Sequence, residues 1–173
     1  MSDVRRFTTR YDPAEDRIKL LVELNTDEVR VLLLTRRLLN RLLPPLLNRL
    51  NQAPVVQEAL KPQAQAAQHF AQSAAIGEMT KQKGVEAASA APDRPVRVHL
   101  VSSVDVHSGA NTGLALGFKS GETVVQLVPF TEPALRQWLH VVYRQYKAGD
   151  WREGFWPSWV APSAEAAADL RLN

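Results

Sequence analysis

The run Val29-Arg30-Val31-Leu32-Leu33-Leu34 meets Thr35, and leucines then recur at 38, 39, 42, 43, 46, 47 and 50. The first part is apolar on both strand faces except at Arg30, which predicts a central strand covered on each side. The second part has helical spacing, and Thr35 is placed to cap a helix. The same order returns further along. Val124 to Phe130 predicts a strand, Thr131 a cap, and Leu135, Trp138, Leu139, Val142, Tyr143 and Tyr146 an apolar helical stripe. Pro133 falls in the first turn, where proline is tolerated. Setting Thr35 against Thr131 aligns Leu39 with Leu135, Leu42 with Trp138, Leu43 with Leu139, Leu46 with Val142 and Leu50 with Tyr146.

Two further strands precede each of these. Val4 to Tyr11 alternates, with Arg6, Thr8 and Arg10 on one face and Arg5, Phe7, Thr9 and Tyr11 on the other. The turn Asp12-Pro13-Ala14-Glu15-Asp16 leads to Ile18, Leu20, Val22 and Leu24, a strand with one buried face. In the second half Val96 begins an alternation that runs to Ser108, and Leu114, Leu116 and Phe118 mark the next strand. Lys119-Ser120-Gly121-Glu122 is a hairpin signal. Pro44-Pro45 interrupts the leucine stripe and predicts a kink, since proline lacks the amide donor and its ring crowds the preceding turn.

Between the halves the chain is rich in Ala and Gln. Gln63 to Thr80 reads as a helix with Ala66, Phe70, Ala74 and Ile76 inward, and Lys81 to Pro95 as a linker without periodicity. The tail holds three tryptophans between Trp151 and Trp159, followed by an alanine-rich stretch over 163–171 that reads as a short helix or frayed end. The fold class expected is α+β: two pseudo-repeated β-β-β-α units, the sheet mostly antiparallel and the helices on one face. The units span 1–52 and 96–149, joined by an Ala/Gln-rich helical and flexible crossover over 53–95. Residues 150–173 form a tryptophan-rich tail.

Composition narrows the chemistry. The chain has 173 residues and no cysteine, so disulfides and thiolate metal sites are excluded. No secretory-type apolar run opens the sequence and no apolar stretch is long enough for a membrane span, so a cytoplasmic protein is expected. The net charge is +3. Residues 1–52 carry ten Lys/Arg against seven Asp/Glu, so the excess favours the first unit without amounting to a basic stripe.

Catalytic patterns are absent. There is no nucleophile-elbow, zinc-protease or phosphate-loop motif, and the glycines of Gly113-Leu114-Ala115-Leu116-Gly117 do not open a helix. His99, Ser103, Asp105 and His107 share strand parity and could in principle approach a metal, but alternation alone explains the parity. No enzymatic activity, cofactor or metal is expected. The helix over 36–50 is amphipathic, yet a strand leading straight into it favours core packing over a membrane surface.

Two binding roles remain. Trp151, Phe155, Trp156 and Trp159 are the interface candidates, because exposed aromatics and leucine-rich faces build protein contacts. A non-enzymatic interaction or assembly factor is the leading expectation, a homodimer or a subunit of a complex. The alternative is single-stranded nucleic-acid binding by Arg5, Arg6, Phe7, Arg10, Tyr11, Lys19 and Arg30, a cationic set with aromatic residues for stacking. Arg5 and Arg6 would point to opposite faces of a flat strand. The layout of two strand-rich repeats, each closed by a helix, is similar to that of the PUR-alpha and whirly families of single-stranded nucleic-acid binders. Those families have four strands per repeat where three are counted here. No motif of either is present, so no site residue is carried over.

Overall fold

A computed structural model describes residues 4–51, 61–83, 94–109 and 113–161. Their order is β1 (Val4–Asp12), β2 (Arg17–Leu24), β3 (Val29–Leu34), α1 (Arg36–Asn51), α2 (Lys61–Lys83), β4 (Val96–Leu100), β5 (Ser103–Ser108), β6 (Leu114–Ser120), β7 (Thr123–Phe130) and α3 (Glu132–Ala148). The class is α+β, with two antiparallel-rich sheets and three helices among the described residues. One sheet runs β1-β2-β3-β4, with β4 parallel to β3; the other runs β5-β6-β7 and is antiparallel throughout.

The expected single strand from Val96 to Ser108 is corrected to two, one in each sheet. The Val101 amide donates to the Leu33 carbonyl, and the next amide, Ser102, donates to Lys119 in β6. Consecutive amides of an extended chain point to opposite sides. The segment therefore leaves β3 on one edge and joins β6 on the other.

Alternation places the core. Ile18, Leu20, Val22, Leu24, Leu32 and Leu34 line one face of the first sheet; Leu116, Phe118, Val128 and Phe130 line one face of the second. Leu39, Leu42, Leu43, Leu46 and Leu47 of α1 join the same cluster, as do Leu135, Trp138, Leu139, Val142 and Tyr146 of α3. Both helices are capped by threonine: Leu38 N donates to Thr35 Oγ1 at 3.2 Å and Ala134 N to Thr131 Oγ1 at 3.3 Å. Each cap occupies the turn where a strand hands over to a helix. Helix α1 runs without interruption through Pro44 and Pro45, with buried leucines on both sides of them. The hairpin of β6 and β7 turns at Gly121, whose φ of +61° is the left-handed conformation glycine adopts without a steric penalty.

Helix α2 corrects two expectations. It extends to Lys83, into the segment read as linker; residues 84–93 lie outside the described residues, as does the alanine-rich 163–171 stretch. Its inward face is also different. Phe70 is 78% exposed, and Ala66 and Ala74 are exposed as well, while Ile76 is half-buried. The buried residues are Gln72 and Ala75. Gln72 Nε2 donates to the Arg136 carbonyl at 3.1 Å, and Gln137 Nε2 donates to the Ala75 carbonyl at 2.8 Å. The helix docks on α3 through these polar contacts.

Candidate interaction surface

The four aromatic residues of the tail lie against the chain itself. Trp151 is 5% exposed and Trp159 7%; Phe155 and Trp156 are half-buried on the core. Trp151 Nε1 donates to Asp16 Oδ1 at 2.8 Å, and its ring meets Tyr11 and Tyr146 edge to face. Trp159 Nε1 donates to Asn51 Oδ1 at 2.9 Å and its ring lies under the Arg136 guanidinium. Trp156 packs on Tyr143 and Tyr146. Glu153 accepts from Arg36 and Asn40 of α1, which fastens the tail across the first helix. Its carboxyl is held below the ordinary range by those two donors. Tyr146 is pushed well up by burial. A groove of about 460 Å³ between the end of α3 and the tail is lined by Tyr143, Tyr146, Trp151 and Trp156.

The cationic set is divided among local partners. A register shift between Val4 and Arg6 rotates Arg5, so the expectation that Arg5 and Arg6 diverge is corrected: both guanidinia reach Glu23, at 2.8 and 2.6 Å. Arg94 adds a third at 2.9 Å. Three guanidinia, Arg5 foremost, depress the Glu23 carboxyl to about 2. Arg30 pairs with Glu28 and donates to the Val125 carbonyl of β7, so it joins the two sheets. Lys19 is held by Asp12 and Glu15. Phe7 packs on Phe130, and the Tyr11 hydroxyl donates to Asp16 Oδ1 at 2.7 Å. Arg10 is exposed on β1. Arg6, Arg10 and Lys19 share the outer face of the sheet, while Phe7 and Tyr11 are on the opposite face. Cations and stacking rings are therefore not brought together on one open surface.

His99 is on β4 of the first sheet, while Asp105 and His107 are on β5 of the second, where Asp105 pairs with Lys119 at 3.4 Å. Among the described residues no group of three or more His, Asp or Glu side chains could hold a metal ion. No helix of the described residues is long and apolar enough to cross a membrane.

The surface that sequence reasoning missed is the outer face of the first sheet. Strand register arranges it in rows: Arg6, Glu23, Val29 and Val96; then Thr8, Leu21, Val31 and Val98; then Arg10, Lys19, Leu33 and Leu100. Polar residues occupy most of the β1 and β2 positions, and every β3 and β4 position is apolar. Val96 is 58% exposed, Val98 60% and Leu100 50%. Since alternate residues on β4 point to one side, these three form one column, flanked by Val29, Val31 and Leu33 of β3. β4 is also the edge of its sheet. At two of the other edge strands a side chain meets the backbone: Gln145 of α3 accepts from the Tyr11 amide of β1, and Arg30 donates to the Val125 carbonyl of β7. A signal for this surface was present. Val29 to Leu34 is apolar on both faces except at Arg30, which calls for cover on both sides, and the described residues cover one.

No family model, no curated protein and no solved structure matches the chain.

Proposed function

We propose that the protein is a non-enzymatic interaction or assembly factor, working as a homodimer or as a subunit of a complex, and that its outer sheet face is the contact surface. One observation carries the reading. An apolar column of three residues, each half or more exposed, lies at a sheet edge beside a strand whose outward residues Val29, Val31 and Leu33 are all apolar. Contiguous apolar surface of this kind on a folded domain marks an interaction site, because single scattered hydrophobic residues need no explanation but an organised strip does. The polar β1 and β2 positions form a rim on one side of it, the arrangement found around buried interface cores.

The two β-β-β-α units are read here as variants of one pattern. The supporting features are the matched threonine caps and the buried positions Leu39, Leu42, Leu43 and Leu46 against Leu135, Trp138, Leu139 and Val142. On this reading residues 53–95 cross between the units.

The test compares the intact chain with Val98→Arg, first by light scattering and then as immobilised bait in a cell extract. The expected result is that the intact chain self-associates or retains a stoichiometric partner, and that Val98→Arg loses that association. An intact chain that stays monomeric and retains nothing the variant lacks would remove the reading.

A further inference from the structure

We propose that α2 is a releasable strap: it undocks from α3 as a unit while both sheets, α1 and α3 stay folded. Three features of the helix lead to this, and none of them depends on the contact surface proposed above.

The first is how little the helix buries. Helices α1 and α3 each place five side chains in the core cluster, and the described residues of α2 place none. Of its 23-residue span, Gln72 and Ala75 are the buried positions among the described residues. Its packing is mainly on α3. A segment with few buried apolar contacts opens at a lower free energy than the fold as a whole.

The second is its orientation. The more apolar side of α2 faces out, and its glutamines face in. Phe70 is exposed, with Ala66, Ala74 and Gly77 on the same side of the helix. Gln68 and Gln72 face α3. Burial arranged this way gains little from removing apolar surface from water. A methyl group added at Gly77 would touch nothing, so this glycine weakens the helix without serving any close approach.

The third is a polar network that docking leaves incomplete. Gln68 Oε1 accepts from Arg136 Nη2 at 2.7 Å, and Gln68 Nε2 donates to the Leu50 carbonyl at 2.8 Å. Arg136 is 3% exposed and Gln72 2%. Yet Arg136 Nη1 and Gln72 Oε1 are buried without a hydrogen-bond partner among the described residues. A polar group buried unpaired gives up water and receives nothing in return, and the penalty is largest for a charged group. Release returns both groups to solvent. The guanidinium keeps Glu132 at 3.0 Å and its place 5.2 Å over the Trp159 ring, since neither contact involves α2. The released form therefore presents a guanidinium stacked on an indole where the docked form presents the Phe70 side of α2.

The experiment is hydrogen–deuterium exchange of the full chain, read by mass spectrometry on peptides from each helix and from β2, with Ala75→Glu and Phe70→Ser beside it. Once undocked, α2 lacks the tertiary packing that supplies most helical stability in water, so its amides exchange. The expected result is that the middle of α2, residues 68–76, exchanges at a common rate at least about tenfold faster than the buried stretches of α1 and α3. Ala75→Glu sets a carboxylate against α3 and should quicken α2 by about a further tenfold, with α1 and β2 as protected as before. Phe70→Ser changes the outer side and should leave α2 within about threefold of the intact chain. A middle of α2 that exchanges within about tenfold of α3 would overturn the proposal. Exchange that slows steadily from both ends toward a protected middle would replace release with fraying. An Ala75→Glu chain that loses protection in α1 and β2 as well, or does not fold, would make α2 part of the cooperative core and end the proposal. Exchange unmoved by Ala75→Glu, or quickened by Phe70→Ser, would show that the inner side does not hold the helix, and would end it equally.

Discussion

The segment Trp151 to Trp159 and the strand Val96 to Leu100 are both short and apolar, and the fold disposes of them in opposite ways. Tryptophan is a residue type enriched at interfaces, yet two of these are buried and the tail is fastened by Asp16, Asn51 and Arg36. The valines are ordinary strand residues, yet three apolar positions in five stand half or more exposed. The difference has a physical source. A tail that follows a core helix can fold back over it, and each indole found a hydrogen-bonding partner or an aromatic neighbour there. An edge strand has one neighbour for its backbone bonds, and what its faces meet depends on what else is available to cover them; none of the β4 side chains enters the core. In this chain α1 and α3 bury their stripes in the core, and α2 docks on α3. Apolar content alone does not say which segment will be left outside.

The contrast can be broken most directly at Trp151. Replacing it with alanine removes a buried indole, its bond to Asp16 and two ring contacts. The expected loss is about 3–5 kcal/mol, read by chemical denaturation. A loss under about 1 kcal/mol would place the tail among surface features and undo the comparison.

A smaller effect is expected where β4 is anchored. Arg94, two residues before β4, is tied to Glu23 together with Arg5 and Arg6. The Glu23 carboxyl is depressed from 4.5 to about 2. A depressed carboxyl contributes stability that is complete above its unfolded value and lost as pH falls through its folded value. The cluster therefore stabilises fully above about pH 4.5 and fades toward about pH 2. Glu23→Gln should lower stability at neutral pH by roughly 2 kcal/mol, discounted for the solvent-facing side of the cluster. It should also flatten the acid limb of the stability curve. An unchanged acid limb would show that the three guanidinia do not depend on this carboxylate.

The smallest effect belongs to Val98. Val98→Thr keeps the β-branched shape on an exposed face and should change monomer stability by less than about 0.5 kcal/mol. A larger loss, measured at a concentration where the chain is monomeric, would mean that the strip contributes to the fold as well as to contacts.

Much of the fold was legible because periodicity is a local property. The alternation of Ile18 to Leu24, the leucine stripe after Thr35 and the turn at Gly121 each specify their element from neighbouring residues. Arg5 was misjudged because a register shift rotates it, and nothing adjacent in the sequence marks the shift. Phe70 was misjudged because the alanine-rich helix around it has no dominant apolar face, so contacts on α3 chose its orientation.

The sequence by itself determined the element types, both threonine caps and the set of side chains able to build a core. These follow from spacing, backbone preference and the absence of cysteine, which act over a few residues. Only the tertiary structure decided that Val96 to Ser108 would divide between two sheets, that three guanidinia would converge on Glu23, and that the tryptophan tail would be inside while β4 stood outside. The reason is competition. Segments far apart in the chain seek the same limited interior surface, and the outcome depends on which of them can reach it with its backbone bonds satisfied.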